Sequence, residues 1–134
     1  MKALGHRFVA APLALILILS SCSGGDRPAA PDWQPLWAGV TDALPSLTSL
    51  GDPPDRDICG PALGVLRASR PDVLPTPDLA LDGVVTEWFT IAEDALFECP
   101  PSSHEIPDLA SAYEELARLQ AEVDAVLRID LSTG

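Results

Sequence analysis

One stretch of the chain, TPDLALDGVVTEWFTIAEDALFEC at residues 76–99, decides the fold. Its apolar residues recur every three or four positions, which places them together on one face of an α-helix. That face carries Leu81, Val84, Val85, Trp88, Phe89, Ala92, Ala95, Leu96 and Cys99. The start of the stretch offers a capping hydroxyl, a proline for the first helical turn and an acidic side chain near the positive end of the helix dipole. The pattern therefore predicts a helix over residues 77–98.

Three further stretches have the same helical period: residues 33–50, 58–69 and 107–129. Pro45 is expected to kink the first predicted helix, because proline lacks the N–H that the helix ladder uses, and Pro71 is expected to end the second. Alternation with a period of two residues, which is typical of strands, is found nowhere in the chain. The sequence therefore predicts an all-α fold, a small up-down bundle of about four helices joined by short proline-rich loops.

The N-terminus has the anatomy of a secretory signal peptide over residues 1–21. Lys2, His6 and Arg7 form a basic head, and an apolar run of 12 residues, broken only by one proline, follows at residues 8–19. A membrane-spanning helix needs about 20 apolar residues, so this run is too short to cross a bilayer. A basic head before a short apolar run is typical of a cleaved signal.

The segment at the end of this run, LSSC at residues 19–22, resembles the lipobox of bacterial lipoproteins. The resemblance implies cleavage just before Cys22, acylation of that cysteine through a thioether, and a lipid anchor at the outer face of the cell membrane. Two or three acyl chains hold a protein durably at a bilayer, whereas one chain binds only marginally. Residues 22–32 are then the lipidated start and a flexible tether rich in Gly, Pro and Ala, and residues 33–130 form the bundle. An ordinary signal peptide with an incidental cysteine is the alternative.

Three segments of the mature chain, CGPALGVLR, LPTPDLALDGVVTEWFTIAEDALFECPP and AYEELARLQAEVDAVL, resemble pieces of small uncharacterised lipoproteins of actinobacteria. The resemblance covers most of the residues after Cys22, and it implies no activity.

The mature chain is expected to be strongly acidic. Without residues 1–21 it contains six Arg, no Lys and all 20 acidic residues, which gives a net charge of −14. Such a charge repels nucleic acid, which is therefore not an expected partner. It would suit a basic partner or a cation, although scattered surface acids commonly serve solubility alone.

The two remaining cysteines, Cys59 and Cys99, are predicted to form a disulfide. Cys59 begins the second predicted helix and Cys99 follows the third, so antiparallel packing of these helices would bring the two residues together. Both lie on the apolar face of their helix, and an extracytoplasmic compartment would let the bond persist.

No constellation in the sequence points to catalysis. His104, the one histidine after residue 21, lies in a predicted loop beside Ser102 and Ser103. A catalytic histidine needs a nucleophile and an orienting partner, and loop serines before a helix are more often caps. A zinc site of Cys59, Cys99 and His104 would lack a fourth ligand and would compete with the disulfide.

The acidic stretch GDPPDRD at residues 51–57 lacks the alternating ligands, central glycine and closing Glu of an EF-hand loop. We interpret it as a solvated loop whose last aspartate, Asp57, caps the second helix. No catalytic residue, no metal site and no cofactor are therefore predicted.

Five aromatic residues lie on the predicted inward faces of the helices: Trp33, Trp37, Trp88, Phe89 and Tyr113. They are interpreted as core, since a small bundle needs large side chains, and an apolar ligand pocket is the alternative. Gln120 breaks the pattern on an apolar face and is expected to lie at a helix edge or to satisfy a buried backbone group. Phe97 breaks it on a polar face and is expected to pack under a loop or the tether. Trp88 and Gln120 are the candidate ligand-binding residues.

Together these patterns predict a membrane-anchored extracytoplasmic lipoprotein that is not an enzyme. Its bundle is expected to be a binding or adaptor domain for an unidentified envelope protein or ligand. A carrier or sensor of a small apolar ligand between the helices is the alternative. A cavity reached by Trp88 and Gln120 would favour the carrier, and a solid core with an exposed apolar patch would favour the adaptor.

Overall fold

The computed structural model describes residues 26–99 and 109–133, and within these residues it contains five α-helices and no strand. The helices are α1 (Ala30–Ala43), α2 (Leu47–Leu50), α3 (Arg56–Val73), α4 (Leu79–Phe97) and α5 (Leu109–Thr133). The predicted all-α fold is confirmed.

The four long helices form an up-down bundle. α4 packs against α3 and α5, and α1 packs mainly against α3, with fewer contacts to α5. Trp33 at the start of α1 donates from Nε1 to the carbonyl oxygen of Val73 at the end of α3, 2.7 Å away. Tyr113 in the first turns of α5 donates to the carbonyl oxygen of Pro45, just beyond the end of α1, over 2.6 Å. α1 therefore runs antiparallel to both of these neighbours.

The predicted disulfide is present. Cys59 in the first turn of α3 is bonded to Cys99, just after α4, with 6.2 Å between the α-carbons. We call this end of the bundle, where α1 and α4 finish and α3 and α5 start, the disulfide end. The opposite end, where residue 27 meets α4, is the Arg27 end.

Pro45 does more than the expected kink, because it separates two helices. α1 stops at Ala43, Leu44 is extended with φ −71° and ψ 116°, and the one-turn α2 begins after Ser46. A residue before proline is pushed out of the helical region, which explains the conformation of Leu44. Ser46 then caps α2 by accepting a hydrogen bond from the backbone N–H of Ser49.

Pro71 does not end α3, contrary to the prediction. The helix continues to Val73 and stops at Leu74, whose extended backbone precedes another proline. A proline near the end of a helix removes a single backbone hydrogen bond, and the bond from the N–H of Leu74 to the carbonyl of Arg70 is kept. The N-cap of α3 is Asp55 rather than the predicted Asp57: its carboxylate accepts from the N–H of residue 57 at 2.8 Å.

Two other helix starts differ from the prediction. α1 begins at Ala30, inside the stretch expected to be tether, and α4 begins after Asp78, whose carboxylate accepts from the N–H of Ala80 at 2.8 Å. α5 begins at Leu109 and runs to Thr133, four residues past the predicted end, and residues 107–108 lie outside the described ranges.

A single hydrophobic core runs along the bundle. Its largest fully buried side chains are Trp33, Trp88, Phe89, Leu50, Leu66, Leu81, Leu96, Leu116, Leu119, Val73, Val85 and Val123. Among the described residues, no helix has the length and apolar character needed to cross a membrane.

Candidate functional site

A chain of aromatic rings occupies the centre of the core. Trp33 stacks on Trp37 with 5.6 Å between ring centroids, and Trp37 meets Trp88 edge-on at 5.1 Å. Trp88 in turn meets Phe89 edge-on at 5.4 Å. All four residues are buried, which confirms their interpretation as core. Offset and edge-to-face aromatic pairs stabilise a core beyond the effect of area burial alone.

A groove lies between α1 and α5, where the two helices have few contacts. Its volume is about 260 Å³. The lining residues are Gln34, Trp37, Ala38, Thr41, Gln120, Asp124 and Leu127. Gln120 thus lies at a half-buried helix edge, one of the two places expected for it.

The groove combines an apolar wall with polar groups. Trp37 and Leu127 supply apolar surface, while Gln120 and Gln34 supply amides that can both donate and accept hydrogen bonds. The indole Nε1 of Trp37 is buried and has no hydrogen-bond partner among the described residues. A buried donor without a partner costs about 1–3 kcal/mol, so an acceptor that reached it would bind favourably.

The two predicted ligand-binding residues do not share a site. Trp88 is fully buried, and Trp37 lies against it and lines the groove in its place. The indole Nε1 of Trp88 likewise lacks a partner among the described residues. Helical periodicity places both Trp37 and Trp88 on inward faces. Which of the two lines a groove depends on how closely α5 approaches α1, and the sequence does not give that distance.

A second groove, of about 210 Å³, lies between α1 and α3. It is lined by Pro35, Leu36, Gly39, Val40, Ser69, Asp72 and Val73. Leu36 is 44% exposed there. Val65, one helical turn before Ser69 on α3, is 48% exposed. We call Leu36 and Val65 the α1–α3 patch.

Phe97 is exposed rather than packed under the tether. Its side chain is 69% exposed at the end of α4, and the guanidinium of Arg67 lies 5.9 Å from its ring centroid. The described part of the predicted tether contacts the opposite end of the bundle, and residues 100–108 lie outside the described ranges. The carboxylate of Glu93 lies on the same side of the bundle as these groups. Its oxygens are 3.8 Å from Nε of Arg67 and 3.3 Å from Nη1 of Arg70.

An arginine in the predicted tether binds the start of α4, which the sequence did not suggest. Arg27 donates from Nη1 to Oδ1 of Asp82 at 3.0 Å and from Nη2 to Oδ2 at 2.8 Å. Nη1 also donates to the carbonyl oxygen of Thr76 at 2.9 Å. The parallel two-bond geometry fixes the direction as well as the distance of the pair.

Thr76 completes this network. It is fully buried, and its backbone N–H donates to Oδ1 of Asp82 at 2.9 Å. Its hydroxyl lies 2.8 Å from the same oxygen and 2.5 Å from the carbonyl oxygen of Asp78. The hydrogen bonds from the Arg27 guanidinium, together with those from Thr76, lower the pKa of Asp82 to about 2. The expected role of Thr76 as a helix cap is therefore replaced by that of a buried hydrogen-bonding link.

The residues weighed for catalysis and metal binding fall into two groups. His104, Ser102 and Ser103 lie outside the described residues, as does Cys22. A zinc site would require the thiolates of Cys59 and Cys99. These two residues are bonded to each other, so neither offers a thiolate to a metal. Among the described residues, no group of three or more His, Cys, Asp or Glu side chains could hold a metal ion.

Comparisons with protein-family models, with curated proteins and with solved structures found no match to this chain.

Proposed function

We propose that this protein is a lipid-anchored lipoprotein at the outer face of the cell membrane and that its bundle is a non-catalytic binding or adaptor domain. The observation that carries the anchor is LSSC at residues 19–22, directly after a basic head and a 12-residue apolar run. Acylated Cys22 is then the contact with the bilayer, through two or three chains.

The disulfide supports an extracytoplasmic location. Cys59 and Cys99 are both buried and joined, and such bonds persist in oxidising compartments but are rare in a reducing cytoplasm. In a small domain, a covalent link also replaces stability that a larger core would provide.

The packing supports an adaptor rather than a carrier. Trp88, the residue expected to reach a cavity, is fully buried among other core side chains, while Leu36 and Val65 are exposed on neighbouring helices. Exposed apolar side chains on neighbouring helices can form part of a protein-binding surface. The excess of acidic residues would repel nucleic acid and favours a partner with a neutral or basic surface.

The anchor is tested by intact-protein mass spectrometry of the chain made in a bacterium that processes lipoproteins. We expect cleavage before Cys22, lipid mass on that residue, and recovery of the protein in the membrane fraction. Cys22→Ala should abolish both the lipid mass and the membrane recovery, whereas Ser20→Ala, which keeps a small residue before the cut, should leave both unchanged. A wild-type protein without lipid on Cys22 would show that the anchor is wrong.

The adaptor is tested by photo-crosslinking in the membrane. A photoreactive residue at position 36 or 65 should give one discrete adduct, whereas the same residue at the exposed position 87, on α4, should give none. Making the patch polar by Leu36→Ser should remove the adduct formed from position 65. If positions 36, 65 and 87 behave alike, the α1–α3 patch is not a partner surface.

A carrier of a small apolar ligand is the second candidate, and it is favoured by the groove between α1 and α5. Trp37 and Gln120 both line this groove, and the buried N–H of Trp37 has no partner among the described residues. A neutral naphthylamine probe should then gain fluorescence on binding the full chain. Thr41→Phe, which adds a ring inside the groove, should abolish the gain, whereas Asp42→Phe at the neighbouring exposed position should not. Equal behaviour of the two variants would exclude the groove as a ligand site.

A further inference from the structure

Arg27 lies only five residues after the cysteine proposed to carry the lipid, and it is bonded to the bundle. We propose that the pair of Arg27 and Asp82 orients the bundle on the bilayer, with the Arg27 end at the membrane surface and Leu79 in contact with the lipid interface. This proposal rests on the lipid anchor proposed above.

The length of the intervening chain limits where the bundle can lie. Five residues span at most about 18 Å, so the α-carbon of Arg27 stays within that distance of the acylated Cys22. α4 contains 19 residues and is therefore about 28 Å long. Without the pair, the first fixed point would be the start of α1 at Ala30, and eight residues of chain would reach about 29 Å. With the pair, the free chain between Cys22 and the bundle is therefore shorter than α4, whereas without the pair it would be about as long as α4.

The geometry of the Arg27–Asp82 pair allows it to fix residue 27 to the bundle. Arg27 is bound through both of its terminal nitrogens to the two carboxylate oxygens of Asp82, and a third bond joins it to the carbonyl of Thr76. Because Thr76 is itself fully buried, the network is fixed to the core and not to a loose surface side chain. The chain before α1 is therefore held in a defined place at the start of α4.

The surface next to this network carries an apolar side chain. Leu79, in the first turn of α4 and three residues before Asp82, is 73% exposed. A leucine held at a bilayer by a nearby acyl anchor can bury its side chain in the interface, which removes apolar surface from water. The aspartates at this end, Asp26 and Asp78, would be repelled by a strongly anionic surface, so the contact is expected on zwitterionic lipid.

The test uses the acylated full chain in phosphatidylcholine vesicles. Leu79→Cys and Phe97→Cys place a single thiol at opposite ends of α4, on side chains that are similarly exposed. The introduced thiol is the only one that reacts, because Cys22 is a thioether and the other two cysteines are bonded to each other. A fluorophore on this thiol is then quenched by lipids that carry a nitroxide in the headgroup.

We expect quenching at position 79 to exceed quenching at position 97 several-fold. Arg27→Ala should bring the two values together, and Arg27→Lys, which keeps the charge but loses the two-bond geometry, should give an intermediate ratio. Arg56→Ala, which removes the same charge at the disulfide end, should leave the ratio unchanged. Circular dichroism of each variant reports whether the bundle is still folded.

Each outcome separates this proposal from the one on which it rests. Lipid on Cys22 with equal quenching at positions 79 and 97, or with stronger quenching at 97, would overturn the orientation and leave the anchor intact. An unchanged ratio in a folded Arg27→Ala variant would overturn the role of the pair. Absence of lipid mass on Cys22 would overturn both the anchor and the orientation.

Discussion

Breaking the bond between Cys59 and Cys99 should cost this domain much of its stability. The bond joins residues 40 positions apart in the sequence. In the chain-entropy account, closing a loop of that length lowers the entropy of the unfolded chain by an amount worth about 4 kcal/mol at 25 °C. A domain of this size has only about 5–15 kcal/mol of stability in total. The folded state should therefore survive reduction, but with a much smaller margin.

The position of the bond predicts what remains after it is broken. It ties the start of α3 to the end of α4, at one end of the bundle, while the aromatic rings pack farther along these helices. The helices should therefore stay formed while the melting temperature falls, by about 15–30 °C for a loss of 4 kcal/mol.

The assay is urea unfolding followed by circular dichroism, in a Cys22→Ala background with two cysteines left. Reduction of this chain and the double change Cys59→Ala, Cys99→Ala should each lower the free energy of unfolding. The double variant should lose slightly more, because both sulfur atoms are buried and their removal leaves space in the core. Reductant added to the double variant is the control, and it should have no effect.

Two results would refute this reasoning. If both cysteines react with an alkylating reagent in unreduced, unfolded protein, the bond does not form in the molecule. If the bond forms but its loss costs less than about 1 kcal/mol, the unfolded chain is already compact and the loop-closure argument does not apply here.

Other changes should have smaller, specific effects. Because the pKa of Asp82 is about 2 in the folded chain and about 3.9 when unfolded, its pairing with Arg27 stabilises the fold fully above about pH 4, and this contribution is lost as the pH falls towards 2. After allowance for partial exposure it amounts to about 1 kcal/mol, and Asp82→Asn should abolish this pH dependence in urea unfolding measured from pH 5 to pH 2. Tyr113→Phe removes the phenol that donates to the turn before α2 and should cost about 1 kcal/mol in the same assay, and an unchanged midpoint would argue against that contact. Gly51→Ala should destabilise the chain by about 1 kcal/mol, since residue 51 has φ 86° and an added Cβ would lie 3.3 Å from a backbone oxygen. Gly64→Ala should instead stabilise it by about 1 kcal/mol, because an added Cβ there would meet no atom within 4 Å beyond the neighbouring backbone of its own helix.

Local sequence determined the helices and the residues that face inward. The period of α4 was readable because its apolar residues repeat with the helical turn, and this repeat also placed Cys99 on the same face as the core. The disulfide followed from two local facts, namely the positions of Cys59 and Cys99 at ends of helices that a short connection makes antiparallel.

Only the tertiary structure decided what depends on the approach of distant segments. Pro45 and Pro71 are the same residue type within helical patterns, yet one separates two helices and the other lies inside a helix, because the surroundings determine whether a lost hydrogen bond is tolerated. Trp37 lines a groove and Trp88 does not, since the spacing of α1 and α5 is a property of packing and not of either helix alone.

The pair of Arg27 and Asp82 is the clearest case. The two residues are 55 positions apart. Arg27 lies in the predicted tether and Asp82 in a predicted helix, and neither pattern points to the other. A long-range ion pair leaves no periodic trace in a single sequence, because it needs one residue at each of two places and no repeat. The sequence alone determined the helices and the core, whereas the attachment of the N-terminal segment arose only when the folded bundle brought Thr76, Asp82 and Arg27 together.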